Sequence, residues 1–243
     1  MRKIEFTKLL IGMMVLPLML ASCESDVLPG ISGEGEVVTR TLDIDEFTGF
    51  TNAIAADVYV TQGDVQEVTI EAQENIIDNL ELDKVTGGSW TIDFNKWVRR
   101  AKPIKIYITI PTLDKAKISG AGEIIGETAF TDLDFLELGI SGAGNIDLEF
   151  YCNELDLRVT GAGSMTLVGE ASEMNAAITG AGDIKAFDLE TERTEFRISG
   201  AGSGKLTVSE YLKASISGSG NLYYRGTPDT DVHISGAGSV IKD

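Results

Sequence analysis

From residue 113 onward apolar and polar residues alternate, as in "LDLRVTG" (155–161) and "TEFRISG" (194–200). A period of two predicts β-strands buried on one face and does not fit a helix. Each alternating run ends in a glycine motif that recurs seven times: ISGAGE (118), ISGAGN (140), VTGAGS (159), ITGAGD (178), ISGAGS (198), ISGSGN (216) and ISGAGS (234). Successive copies lie 22, 19, 19, 20, 18 and 18 residues apart. A period this short over half the chain points to a solenoid whose rungs are strands.

Alignment of the copies shows which side chains would stack. The leading position holds Ile118, Ile140, Val159, Ile178, Ile198, Ile216 and Ile234. Two residues earlier stand Ala116, Leu138, Leu157, Ala176, Phe196, Ala214 and Val232; six residues later stand Ile124, Ile146, Met165, Ile184, Gly204, Leu222 and Val240. Lys117, Arg158, Arg197 and His233 fall between these ladders and point outward. Rungs stack about 4.8 Å apart, so a side chain at a shared bend would strike the rung beneath, which is why glycine recurs there. The preceding Ser or Thr (Ser119, Ser141, Thr160, Thr179, Ser199, Ser217, Ser235) is expected to form a hydroxyl column bonded along the stack.

The predicted fold is all-β: a single-stranded parallel β-helix, right-handed as strand twist favours, with an irregular β N-terminal cap. A left-handed hexapeptide coil fits Ile216, Leu222, Pro228 and Ile234, but Glu190 and Glu210 occupy its third-face positions and oppose it. Between 31 and 112 the strand signals are "EVVTRTLDI", "DVYVTQG", "EVTIEAQ", "SWTIDF" and "PIKIYITIP". "TGG" (86–88) reads as a hairpin turn and "QENIIDNLE" as a helical turn. This region caps the coil or continues it irregularly, since an open end would expose unpaired strand backbone. Protection of the other end is not visible in the sequence, which leaves the exposed C-terminal rung available to a partner subunit.

The N-terminus reads differently. Arg2, Lys3 and Lys8 precede a 12-residue apolar run, Leu9–Leu20, and then Leu20-Ala21-Ser22-Cys23. The run is short for a membrane span and has the form of a signal-peptide core. The tetrapeptide resembles the bacterial lipobox, which implies lipidation at Cys23. The expected organisation is a signal peptide (1–22), a tether (23–35), an N-terminal β region (36–112) and the β-helix (113–243). Glu24 and Asp26 resemble the acidic export signal of some surface lipoproteins, and the expected location is the cell envelope, as an outer-membrane lipoprotein that is periplasmic or surface-exposed.

Composition narrows the partners. Removal of residues 1–22 takes the formal charge from −18 to −20. Such a surface repels nucleic acid, and the membrane is contacted through the lipid on Cys23 only. Cys152 is then the one remaining cysteine, without a disulfide partner, and reads as a buried small hydrophobe.

The order of lipobox, "R-x-L-x-x-x-x-F" (Arg40, Leu42, Phe47), "DVYVTQG", "VTIEAQENIID", "IYITIPTLDKAKISGAG" and the SGAG repeats resembles the head-GIN-type autotransporter adhesin domain, a domain of unknown function frequent in Bacteroidetes lipoproteins. The resemblance spans roughly 36–225 and implies a β-helix-like fold at a cell envelope. It supplies no catalytic residues.

Catalytic chemistry finds little support in the residues. Asp132/Asp134 and Asp229/Asp231 are pairs expected by chance in so acidic a chain, and the single histidine, His233, sits at an outward position. "GAGSGKLT" departs from a phosphate loop because Ser199 stands where glycine is required. Glu123, Asn145, Ser164, Asp183, Ser203, Asn221 and Ser239 form a polar column after the bend, with aspartate once in seven, unlike a calcium β-roll. No cofactor or metal is expected. Trp90 and Trp97, with Lys96, Arg99 and Arg100 in the basic island "KWVRRAK", form the candidate interaction surface. The function read from the sequence is non-enzymatic: a lipid-anchored envelope protein displaying a rigid β-helix for adhesion or protein–protein interaction. The alternative is a carbohydrate-binding or carbohydrate-active β-helix.

Overall fold

The computed structural model describes residues 30–243; the expected signal peptide, Cys23 and most of the expected tether lie outside them. Strands dominate, and each glycine motif ends one. The coil comprises β10 (Lys115–Gly120), β11 (Glu123–Gly126), β12 (Phe130–Gly142), β13 (Asn145–Gly161), β14 (Ser164–Gly180), β15 (Asp183–Gly200) and β16 (Ser203–Gly218), then β17 (Asn221–Arg225), β18 (Asp229–Gly236) and β19 (Ser239–Lys242). Before it come β1 (Ile31–Ser32), β2 (Val37–Leu42), β3 (Gly49–Asn52), β4 (Asp57–Gln62), β5 (Glu67–Gln73), α1 (Glu74–Ile77), β6 (Val85–Thr86), β7 (Ser89–Ile92), β8 (Val98–Arg100) and β9 (Lys105–Ile110).

Consecutive rungs pair in parallel and in register. Gly120, Gly142, Gly161, Gly180, Gly200, Gly218 and Gly236 stand in one file. The steric reason is direct: a Cβ on Gly161 would lie 2.4 Å from the carbonyl oxygen of Gly142, and its φ of +119° is one that other residues rarely adopt. That carbonyl instead accepts from the Ala162 amide at 2.9 Å. The leading Ile/Val ladder is buried up to Ile216. The ladders also compensate one another. The Phe196 ring takes the space beside Gly204, whose absent Cβ would lie 2.5 Å from Phe196 Cζ.

The Ser/Thr column departs from expectation. Those side chains stand on the solvent face, and among the described residues their hydroxyls make no hydrogen bond with the protein. With φ set by the glycines, the bend is held by backbone bonds alone.

The N-terminal third both extends the coil and closes it. β3 and β4 pair in parallel with β10 and β11, adding one rung beneath them. β7 and β9 pair in parallel with β3 and β4, adding another. A later piece of chain thus lies under an earlier one. β5 then runs antiparallel along β9, β2 along β5 and β6 along β7, so the direction of pairing reverses at this end. Phe47, Ile76, Ile77, Leu80 and Trp90 fill the interior here. The hairpin is present: Gly87 and Gly88 have φ of +58° and +74° between β6 and β7. The expected helical turn is α1. β1 falls inside the segment expected as a tether (23–35) and pairs with β8.

The opposite end is open. Val232 and Ile234 continue the inward ladders yet are 41 % and 40 % exposed, against 0 % and 2 % for Ala214 and Ile216 one rung below.

Candidate functional site

Two surface features stand out, a groove along the coil and a basic loop at its closed end. The groove arises because each rung has a second bend, after the strand segment that follows the glycines. Leu133, Cys152, Ala171, Thr191 and Val208 occupy this bend in register and turn their side chains inward, leaving backbone as the floor. The cavity is about 880 Å³ and continues to Gly226 and Thr227. Five rung intervals at about 4.8 Å make it roughly 24 Å long. Its flanks carry Asp132, Asp134, Glu170, Glu190 and Glu192, with Tyr151 in file with Glu170 and Glu190, and no Lys or Arg lines it.

The floor is tied down. Thr191 shares a hydrogen bond with Thr194 at 2.8 Å and donates to the Thr207 carbonyl at 2.9 Å; Ser209 donates to the Thr191 carbonyl at 3.2 Å. At one mouth Asp132 has a φ of +59°, the one non-glycine residue with positive φ among the described residues. Neighbouring Thr131 exchanges hydrogen bonds with Gln62, which brace that turn. Partial burial pushes the Cys152 thiol up to about 12, which favours its protonated form over the thiolate nucleophile.

Chemically the groove is a row of carboxylates on successive rungs. Among the described residues no group of three His, Cys, Asp or Glu side chains is placed to hold a metal ion. His233 lies on exposed β18, outside the groove. In the polar column after the glycines, Asn145 donates to Glu123 at 3.1 Å. The sequence offers Asp132 and Asp134 as a chance pair and Glu190 only as a third-face position, and it does not single out Tyr151, Glu170 or Glu192. The signal was available, since the alignment that stacks the glycines also stacks 151, 170 and 190.

The basic loop gathers Lys96, Trp97, Arg99 and Arg100, all exposed, with Trp97 at 58 %. Trp90 is not with them and is withdrawn from the candidate surface. It is fully buried, its ring lies 5.7 Å from that of Phe47, and its Nε1 donates to the Glu81 carbonyl at 3.3 Å. An inward position on β7, in the rung closed by β6, gives so large an apolar side chain an interior to fill. Buried Asn79 shapes the loop, donating to the Lys96 carbonyl at 2.7 Å and accepting from the Lys96 amide at 3.1 Å.

Comparison with known proteins follows the fold. A "putative adhesin" from Bacteroides fragilis NCTC 9343 superposes with a TM-score of 0.81 at 26 % identity, covering 88 % of this chain and 100 % of that one. A "putative lipid binding protein" from Parabacteroides distasonis ATCC 8503 gives 0.74 at 24 %, covering 88 % and 99 %. A "putative adhesin" from Parabacteroides merdae ATCC 43184 gives 0.70 at 22 %, again covering 88 % and 99 %. The two lower identities speak to the fold alone. No curated protein matches the sequence. Residues 46–228 match the family described as "Putative auto-transporter adhesin, head GIN domain", which takes in the closing strands β5 and β6, most of the repeats and the whole groove, and the chain belongs to that family.

Proposed function

We propose that the chain is a lipid-anchored envelope protein whose rigid coil presents a contact surface for adhesion, without catalysis. Residues 1–22 serve as the signal peptide, Cys23 carries the lipid, and the segment up to the first strand links it to the coil at an outer membrane. The observation that carries this reading is the groove: a trough about 24 Å long, built by stacking rather than by a loop, whose floor is backbone fixed in a β-ladder. Such a surface changes little on binding, which suits recognition. The adhesin-type family supports an adhesive role at the envelope.

A carbohydrate-binding or carbohydrate-active coil is the second reading. Tyr151, 39 % exposed on the groove flank among carboxylates, favours it because an aromatic face stacks on a sugar ring while carboxylates accept from its hydroxyls. Full-length protein incubated with host and bacterial glycans and matrix proteins separates the two. Saturable binding without product supports display; turnover of a polymer, abolished by Glu170→Gln or Glu190→Gln, overturns the non-catalytic assignment. The open C-terminal rung offers a further contact, the end-to-end pairing of two copies.

A further inference from the structure

We infer that the loop Lys96–Arg100 is a second membrane contact, resting on the phosphate-bearing headgroups of the bilayer that holds Cys23 and setting the coil upright upon it. The inference rests on the lipid-anchored reading above and adds to it an orientation and a binding surface.

Position is the first argument. Trp97 packs on Gly30, where a Cβ would lie 2.4 Å from its Cε3, and the Ile31 amide donates to the Trp97 carbonyl at 3.0 Å. The place where the chain from Cys23 joins the folded body and the basic loop are therefore one patch. Cys23 and Gly30 are seven residue steps apart. Fully extended they reach about 25 Å at most, so this patch cannot move far from the bilayer.

Chemistry is the second. Lys96, Arg99 and Arg100 have no ion pair among the described residues, whereas Lys102 on the same loop is held by Glu36 at 2.7 Å. Unpaired cations attract lipid phosphates, and an exposed indole prefers the headgroup layer. Without residues 1–22 the chain carries a formal charge of −20, so an anionic surface attracts this patch and repels the groove with its five carboxylates. Opposed forces at different places on a rigid body turn it, and the contact end faces down.

Third, the patch is preformed. Asn79 clamps the Lys96 backbone from within, and β8 pairs with β1, so docking orders little. A weak contact is enough, because a short tether holds the loop at an effective concentration on the order of millimolar. The consequence is that the groove runs up from the membrane and the open C-terminal rung faces outward.

The test uses full-length lipidated protein in phosphatidylethanolamine/phosphatidylglycerol vesicles with brominated acyl chains. Buried Trp90 supplies a constant emission, isolated in the Trp97→Phe variant. The expected result is quenching of the wild-type emission that is lost in Trp97→Phe and falls at least about threefold in Lys96→Glu/Arg99→Glu/Arg100→Glu, with the β-sheet circular dichroism unchanged. A lipidated protein whose Trp97 emission ignores the brominated lipids overturns the docking and leaves the anchor intact. A mass spectrum showing Cys23 without lipid overturns the anchor, and the docking with it. Capture of an acidic protein by the loop, with no quenching on vesicles, overturns the docking in favour of a protein partner.

Discussion

At Gly161 the hydrogen that replaces a side chain faces the carbonyl of Gly142, and both φ and space exclude a methyl group. Gly161→Ala is expected to destabilise the protein by about 3 kcal/mol or more, combining backbone strain with a clash against a rigid neighbour. Ser141→Ala, one residue before the equivalent glycine, is expected to stay within about 0.5 kcal/mol because its hydroxyl faces solvent. Urea unfolding of the two variants checks both, and a large loss for Ser141→Ala would restore the hydroxyl column as a structural element. Cys152 gives a second residue-scale prediction. Burial raises its pKa to about 12, so alkylation near neutral pH should be far slower than for a free cysteine and should climb with pH. The sign is that of an acid favoured in its neutral form. The associated stability is fully present below the unfolded thiol's pKa and is lost as pH rises towards the folded value. Iodoacetamide labelling across alkaline pH, with and without urea, measures it.

Between elements the unit of stabilisation is the ladder. Most positions repeat a similar side chain, but β15 brings Phe196 where β14 and β16 have Ala176 and Ala214, and β16 answers with Gly204. Gly204→Ala should therefore destabilise alone, and Phe196→Leu should relieve it. The double-mutant cycle is expected to show coupling of about 0.5–3 kcal/mol, whereas additive losses would mean the two sites do not share space. The N-terminal closure follows a different rule. Its strands β2, β5 and β6 pair antiparallel, β6 with β7 as a local hairpin and β2 with β5 and β5 with β9 across longer separations, which lets the chain turn back where a parallel coil would need another full rung.

For the whole molecule the two ends differ, and the difference restricts assembly. One end is closed by antiparallel strands and a plug of Trp90, Ile76 and Ile77. The other shows Val232, Ile234 and Ile241, each about two-fifths exposed. The proposed contact between copies through this one end would close as a two-fold pair and would not propagate into a filament. Sedimentation of the full-length protein should show self-association that weakens at least about tenfold in Ile234→Lys. A wild-type protein that sediments as a monomer at every concentration would remove this pairing while leaving the coil and groove untouched.

The period of two, the recurrence near 19 residues and the glycines at each bend determined the coil from sequence alone, because stacking forces identical constraints on every rung and so writes them repeatedly. The hairpin and the strands 57–62, 67–73 and 105–110 were legible for the same local reason, as turn chemistry and alternation act within a few residues. Only the tertiary structure decided the rest. That β7 and β9 lie beneath β3 and β4 depends on which strand edge is free when the chain returns, and no local pattern encodes it. It is this placement that sends Trp90 inward and Trp97 outward, though they stand seven residues apart in sequence. The groove, likewise, exists where residues about 19 apart in sequence come to lie a rung apart in space, so its carboxylates become neighbours only after the coil has formed.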